Sequence, residues 1–127
     1  TLSHHCWLND HLLLYVDLID GRARWMEYNV VTKGLRSWTD IRHDGHPHSN
    51  GVHCVYDSYP NLLGRQKLYV FDGKERVDIG SFKSGLEFRG DLRCDLHPRI
   101  SGNTVFVDTP VKGFRRIVGV QLPRRLC

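Results

Sequence analysis

Three stretches of this 127-residue chain repeat one order of features, and the repeat restricts the fold more than any single motif does. The first stretch runs from His5, the second from His46 and the third from His97. After each histidine comes a turn dipeptide: Asn9-Asp10, Asn50-Gly51 or Gly102-Asn103. A short apolar run then ends in aspartate, at Asp17, Asp57 and Asp108. Next is a loop with a glycine (Gly21, Gly64, Gly113) and a basic residue (Arg22, Arg65, Arg115). It leads into a second apolar run: Trp25 to Val31, Leu68 to Phe71, and Ile117 to Leu122. The first two stretches add a turn, TKG or DGK, and a last short run, Leu35 to Trp38 or Arg76 to Gly80.

The runs are rich in Val, Ile, Leu, Tyr, Phe and Trp and are bounded by Gly, Asn, Asp and Pro, which is the chemistry of strands and turns. The repeated histidines stand 41 and 51 residues apart. That spacing, with four short strands per unit, is the size of a β-propeller blade. A single blade cannot cover both of its own faces; stacking blades builds the shared core, and radial closure protects the edges. The pattern therefore predicts an all-β fold: three consecutive four-stranded antiparallel blades, a partial propeller. The expected domain is 1–127, with units near 4–40, 41–90 and 91–122 and the histidine-bearing strands innermost. Only DHLLLYVDLID competes, through helix-compatible composition, but Asn-Asp before it and Asp-Gly after it punctuate at strand spacing. The third unit lacks a fourth strand, because Pro123 to Cys127 (PRRLC) has no strand pattern. Either the N-terminal residues supply that strand or it is absent. Propellers close with about four to eight blades. Three blades are therefore expected to meet the remaining blades of a longer ring, or to self-associate through open edges.

Composition excludes several classes. Charged residues at 25% and an apolar share of 40% describe a globular chain rather than a disordered one. The longest apolar run, Leu12 to Val16, is far too short to cross a membrane as a helix. The net charge of +4 is spread out, apart from Arg115-Arg116 and Arg124-Arg125, so a nucleic-acid partner is not expected. No signal peptide is visible, and a cytoplasmic setting is the default expectation. Cys6, Cys54, Cys94 and Cys127 form no C-x-x-C pair and read as free thiols, with Cys54 a small core hydrophobe. No G-x-S-x-G, P-loop or G-x-G-x-x-G motif occurs.

The segments DGHP, DSYPNLLGRQKLYVFD, RCDLHPR and VFVDTP resemble the C-terminal part of bacterial TolB-like propellers, in the subgroup similar to oligogalacturonate lyases. The resemblance covers most of Trp7 to Leu122, and RCDLHPR and DGHP are its most specific pieces. That family usually writes a Ser-Pro-Asp-Gly turn after the first strand, where this chain has HSNG and ISGN. Its members also run to several hundred residues, so at least half of such a ring lies outside this chain. The resemblance implies a metal, manganese, near the central axis and held mainly by histidines of the inner strands. It further implies an oligosaccharide substrate, a base that removes the proton α to a uronate carboxylate, and β-elimination of the glycosidic bond.

His5, His46 and His97 hold equivalent places at the start of the inner strand in three units. Converging there, three neutral imidazoles suit a divalent transition metal. The competing reading, and the stronger one on sequence alone, is a His-Pro packing element between blades, supported by Pro47 and Pro98 at the first strand position. His48 is the best additional candidate, since in a strand it shares a face with His46. Asp44 and Asp95 each precede a histidine by two residues, where a carboxylate can orient an imidazole or cap a turn. Arg93 and Arg99 flank His97 and either pair a substrate carboxylate or form an ion pair between blades. Asp17, Asp57 and Asp108 read as turn carboxylates that accept backbone N–H groups, and Gly21, Gly64 and Gly113 as positive-φ loop positions. Two functions remain open: a binding or structural module, with carbohydrate as the ligand, and a metal-dependent polysaccharide lyase. Sequence alone leaves open whether the chain is an enzyme.

Overall fold

The computed structural model describes residues 1–39, 41–72, 74–84, 87–111 and 113–127. Its strands form three antiparallel meanders. The first contains β1 (Leu2–Trp7), β2 (Leu12–Ile19), β3 (Arg22–Asn29) and β4 (Leu35–Trp38), in the order β1-β2-β3-β4. The second contains β5 (His48–Ser49), β6 (Cys54–Asp57), β7 (Arg65–Phe71) and β8 (Arg76–Lys83), in the same serial order. The third has three strands, β9 (Arg99–Ser101), β10 (Thr104–Val111) and β11 (Phe114–Gln121), with β10 in the middle. No α-helix occurs among the described residues, and no helix there is long and apolar enough to cross a membrane.

Local chemistry accounts for the connections. Asn9 Oδ1 accepts the backbone N–H groups of His11 and Leu12, and Asn50 Oδ1 those of Val52 and His53, all at 2.9–3.0 Å. These side-chain bonds close the first hairpin of both four-stranded sheets. The repeated loop glycine, at 21, 64 and 113, has φ of 72°, 69° and 78°, a region that side chains with a Cβ rarely enter. The stretch DHLLLYVDLID forms β2, with no helical turn. Gly73 of the DGK turn lies outside the described residues. Arg124–Leu126 of the PRRLC segment form a 3₁₀ turn, and β1 pairs with β2, so neither completes the third sheet.

The second sheet is packed on both sides, which is why every residue of β6 is buried. Alternate side chains point to opposite faces of a strand. Val55, Leu68, Val70 and Val77 face the third sheet, where Leu96, Ile100, Val105, Val107 and Leu122 meet them. Cys54 and Tyr56 face the first sheet, where Leu14, Val16, Trp25 and Trp38 meet them. The two outer sheets bury one face each. The other face of the first sheet carries Trp7, 53% exposed, with Leu13 and Tyr15. That of the third carries Phe106 and Ile117, the latter 74% exposed.

Candidate metal centre

The edge strands β1, β5 and β9 lie side by side, and the residues leading into β5 and β9 converge at one end of them. His46, just before β5, is buried. Its Nδ1 lies 3.0 Å from each carboxylate oxygen of Asp57, and its backbone N–H donates to Asp57 Oδ1 at 2.7 Å. Asp57, at the end of β6, is fully buried, and its Oδ2 also accepts the backbone N–H of His97 at 3.1 Å. One carboxylate thus pins two histidine-bearing segments. The pinned backbone at His97 has φ 41°, a left-handed conformation that costs a non-glycine residue about 1–3 kcal/mol and persists where surrounding contacts enforce it. The His97 Nδ1 donates to the Asp95 carbonyl at 3.3 Å.

The third ring of this group is His4, not His5. Leu2 pairs with Asp17 and His5 with Tyr15, so Ser3 and His4 together fill the place of one residue in β1. This β-bulge turns both toward the second sheet, a device found often where a strand must re-aim a functional side chain. Ser3 Oγ donates to Asp44 Oδ2 at 2.7 Å, and His4 Nδ1 lies 3.1 Å from Asp44 Oδ1 and 2.8 Å from Ser3 Oγ. Because the Ser3 proton is committed to Asp44, the His4 proton resides on Nδ1. The ring centroids of His4 and His46 are 4.2 Å apart, and those of His46 and His97 are 4.1 Å apart. In all three rings Nδ1 is tied to an oxygen, and Nε2 remains the open donor, the pattern of imidazoles oriented for metal binding. His46, His97 and Asp95 each offer a ligand atom, and these atoms lie within 4.8 Å of one another. Two imidazoles and a carboxylate are a donor set that fits a divalent transition metal, and the His4 ring stands beside that of His46.

Around the rings stands a polar shell. Burial pushes the Asp44 carboxyl up, but hydrogen bonds from Ser3, His4 and Gly45, with the charge of His4, outweigh this and hold it below the usual carboxylate value. Asp95 is gripped by Arg93 Nε and Nη2 at 3.1 and 2.8 Å and by Gln66 Nε2 at 3.4 Å. Gln66 is fully buried, and its Oε1 has no hydrogen-bond partner among the described residues. Tyr59 packs edge-on against His46 at 5.6 Å, reaches Asp44 Oδ2 at 3.4 Å, and lies under the Arg93 guanidinium at 4.8 Å. Burial, then the charges of Asp44 and Asp95, push the Tyr59 hydroxyl up to about 12. Tyr59 and Arg93 also line an open cleft of about 350 Å³ with Pro60, Ser84 and Phe88.

The sequence-predicted residues divide accordingly. His46, His97, Asp44 and Asp95 come together. His5 does not: it faces the outer side of the first sheet beside Leu2, Leu13, Tyr15 and Asp17. His48 is turned to the third sheet, where its Nδ1 accepts the Ile100 N–H at 3.2 Å; burial, then Arg99, lowers its pKa. Arg93 forms its ion pair within its own segment rather than between blades, and Arg99 donates to the Pro98 carbonyl at 2.9 Å. His4, Asp57, Tyr59 and Gln66 were not singled out for the site. Asp57 was readable only as a turn carboxylate, a role it fills through the His46 and His97 N–H groups.

No family model and no curated protein matches the chain. Among solved structures it is similar to an oligogalacturonate lyase in complex with manganese. The TM-score is 0.75 and the identity 18%, over 99% of this chain and 36% of that one. The fold is propeller-like. At 18% identity the likeness speaks to that fold alone, and the propeller-like chain spans about a third of the length of the protein it matches.

Proposed function

We propose that the chain is three consecutive blades of a β-propeller that binds a divalent transition metal, manganese, and with it an acidic oligosaccharide. The observation that carries this reading is the shared orientation of three rings: His4, His46 and His97 each commit Nδ1 to an oxygen and keep Nε2 open. Asp95 supplies a carboxylate oxygen within 4.8 Å of the His46 and His97 ligand atoms, and His4 approaches from the other side of His46. The fold likeness to a manganese-containing protein supports the choice of metal. Asp57 holds His46 in its tautomer, Asp44 does the same for His4, and Arg93 holds Asp95. The bare faces of the first and third sheets take further blades or further copies of the chain.

A second reading, β-elimination of a uronate oligosaccharide, is favoured by the cleft that Tyr59 and Arg93 share beside the histidines. When bound, the metal supplies Lewis acidity that makes the proton α to a uronate carboxylate easier to remove. Tyr59 offers a sugar ring an aromatic face, and Arg93 offers its carboxylate a cation.

Metal analysis of the purified protein tests both readings. About one equivalent of Mn, Zn, Fe or Ni is expected, with loss in His46→Ala and His97→Ala. Absence of any stoichiometric metal sinks both. Retained metal without unsaturated product from oligogalacturonate leaves the binding module and removes the lyase.

A further inference from the structure

β7 carries one amide on a face that is otherwise apolar. Gln66, Leu68 and Val70 are all buried, and Leu68 and Val70 pack against the third sheet. Alternate residues of a strand share a face, so Gln66 belongs to the same layer. The first unit writes Ala23 at the matching place, after Arg22 as Gln66 follows Arg65. A blade therefore does not need an amide there in order to fold.

Gln66 stands beside the metal centre. Its Nε2 donates to Asp95 Oδ1 at 3.4 Å. A carboxylate only accepts, so the amide nitrogen faces Asp95 and the orientation of the amide is fixed. Arg93 takes the other oxygen, Oδ2, with two bonds at 3.1 and 2.8 Å. Asp95 is one of the three residues whose ligand atoms lie within 4.8 Å of one another. Gln66 Oε1 has no hydrogen-bond partner among the described residues. A buried amide oxygen left unpaired is unfavourable, and an apolar side chain of similar size avoids the penalty.

We propose that Gln66 is a positioning residue of the metal centre: Nε2 aims the Asp95 carboxylate, and Oε1 accepts a hydrogen bond from a water that the metal carries. The proposal rests on the metal reading above. Chemistry defines the ligand of Oε1. An amide oxygen is an acceptor only, so it takes a donor. A divalent ion held by two imidazoles and one carboxylate keeps water in its open position. The charge of the ion makes that water a stronger donor than bulk water. In the metal-free chain Oε1 lowers stability, and with metal bound it raises affinity. The two effects have opposite signs, which separates this role from plain packing.

The test compares the full chain with Gln66→Met, which keeps the length of the side chain and removes both polar ends. Without metal, the urea midpoint of the variant is expected at or above that of the parent. Its Mn affinity is expected to be about tenfold weaker. Two measurements use the parent alone and hold even where the variant folds poorly. Diamagnetic Zn is expected to shift the Gln66 side-chain amide resonances, and electron–nuclear double resonance of the Mn complex in deuterated water is expected to detect a bound water. A variant that binds Mn as tightly as the parent overturns the proposal and leaves the metal reading standing. So do amide resonances that ignore Zn in a parent that binds it. Shifted resonances without a bound water make Oε1 itself a ligand, which also overturns it. A parent that binds no metal overturns both.

Discussion

His46 and Asp57 are joined twice: the imidazole Nδ1 and the backbone N–H of His46 both donate to the Asp57 carboxylate, at 3.0 and 2.7 Å. The aspartate closes β6, and the histidine precedes the strand beside it, so the ring is held by its own sheet. Asp57→Asn keeps the volume and removes the charge. It is expected to cost about 2–3 kcal/mol of stability, the worth of a buried charge-assisted bond. It should also weaken metal binding about 10- to 100-fold. Urea unfolding and metal titration read the two effects separately.

Adjacent histidines should behave differently. His4→Ala is expected to lower metal affinity by at least about tenfold, whereas His5→Ala leaves it unchanged, because His5 faces the outer side of the sheet. Equal losses in both would overturn the role assigned to His4.

This pair also marks how far the sequence could be read. The three units, their strands and the Asn turns were legible, since turn chemistry recurs at fixed places: Asn9 and Asn50 make the same bonds. The bulge was not. LSHHCW holds two neighbouring histidines, and nothing in it says where the extra residue sits, so an equivalence drawn by spacing chose His5. Asp57 was visible as a turn residue. Its hold on His46 and His97, 11 and 40 residues away, exists only once the sheets have stacked. Tyr59 was hidden in SYP, which reads as a turn.

Gly45 sits where a side chain cannot. A Cβ there would run into the Asp57 carbonyl. Gly45→Ala is therefore expected to destabilise the protein by about 1–3 kcal/mol, seen as a lower denaturant midpoint at unchanged slope.

Alkaline stability has a stated sign. The Tyr59 hydroxyl is raised from 10.0 to about 12, so above pH 10 the unfolded chain gives up a proton that the folded chain keeps. This contribution is fully present below pH 10 and is lost as pH rises through about 12. Tyr59→Phe should flatten part of that decline, as followed by thermal melts from pH 9 to about 12.

Self-association is expected of the isolated chain, because the bare faces carry Trp7, Tyr15, Phe106 and Ile117. Sedimentation velocity over a concentration series measures it. A single monomeric species at the highest concentration would count against it.

The doubly buried second sheet has a consequence for the form such assembly takes. It leaves the chain with two free faces that differ from each other, one around Trp7 and Tyr15, the other around Phe106 and Ile117. Contacts between unlike faces run head to tail. If the rotation between successive copies divides a full turn, the copies end as a ring, and if it does not they continue as a fibre.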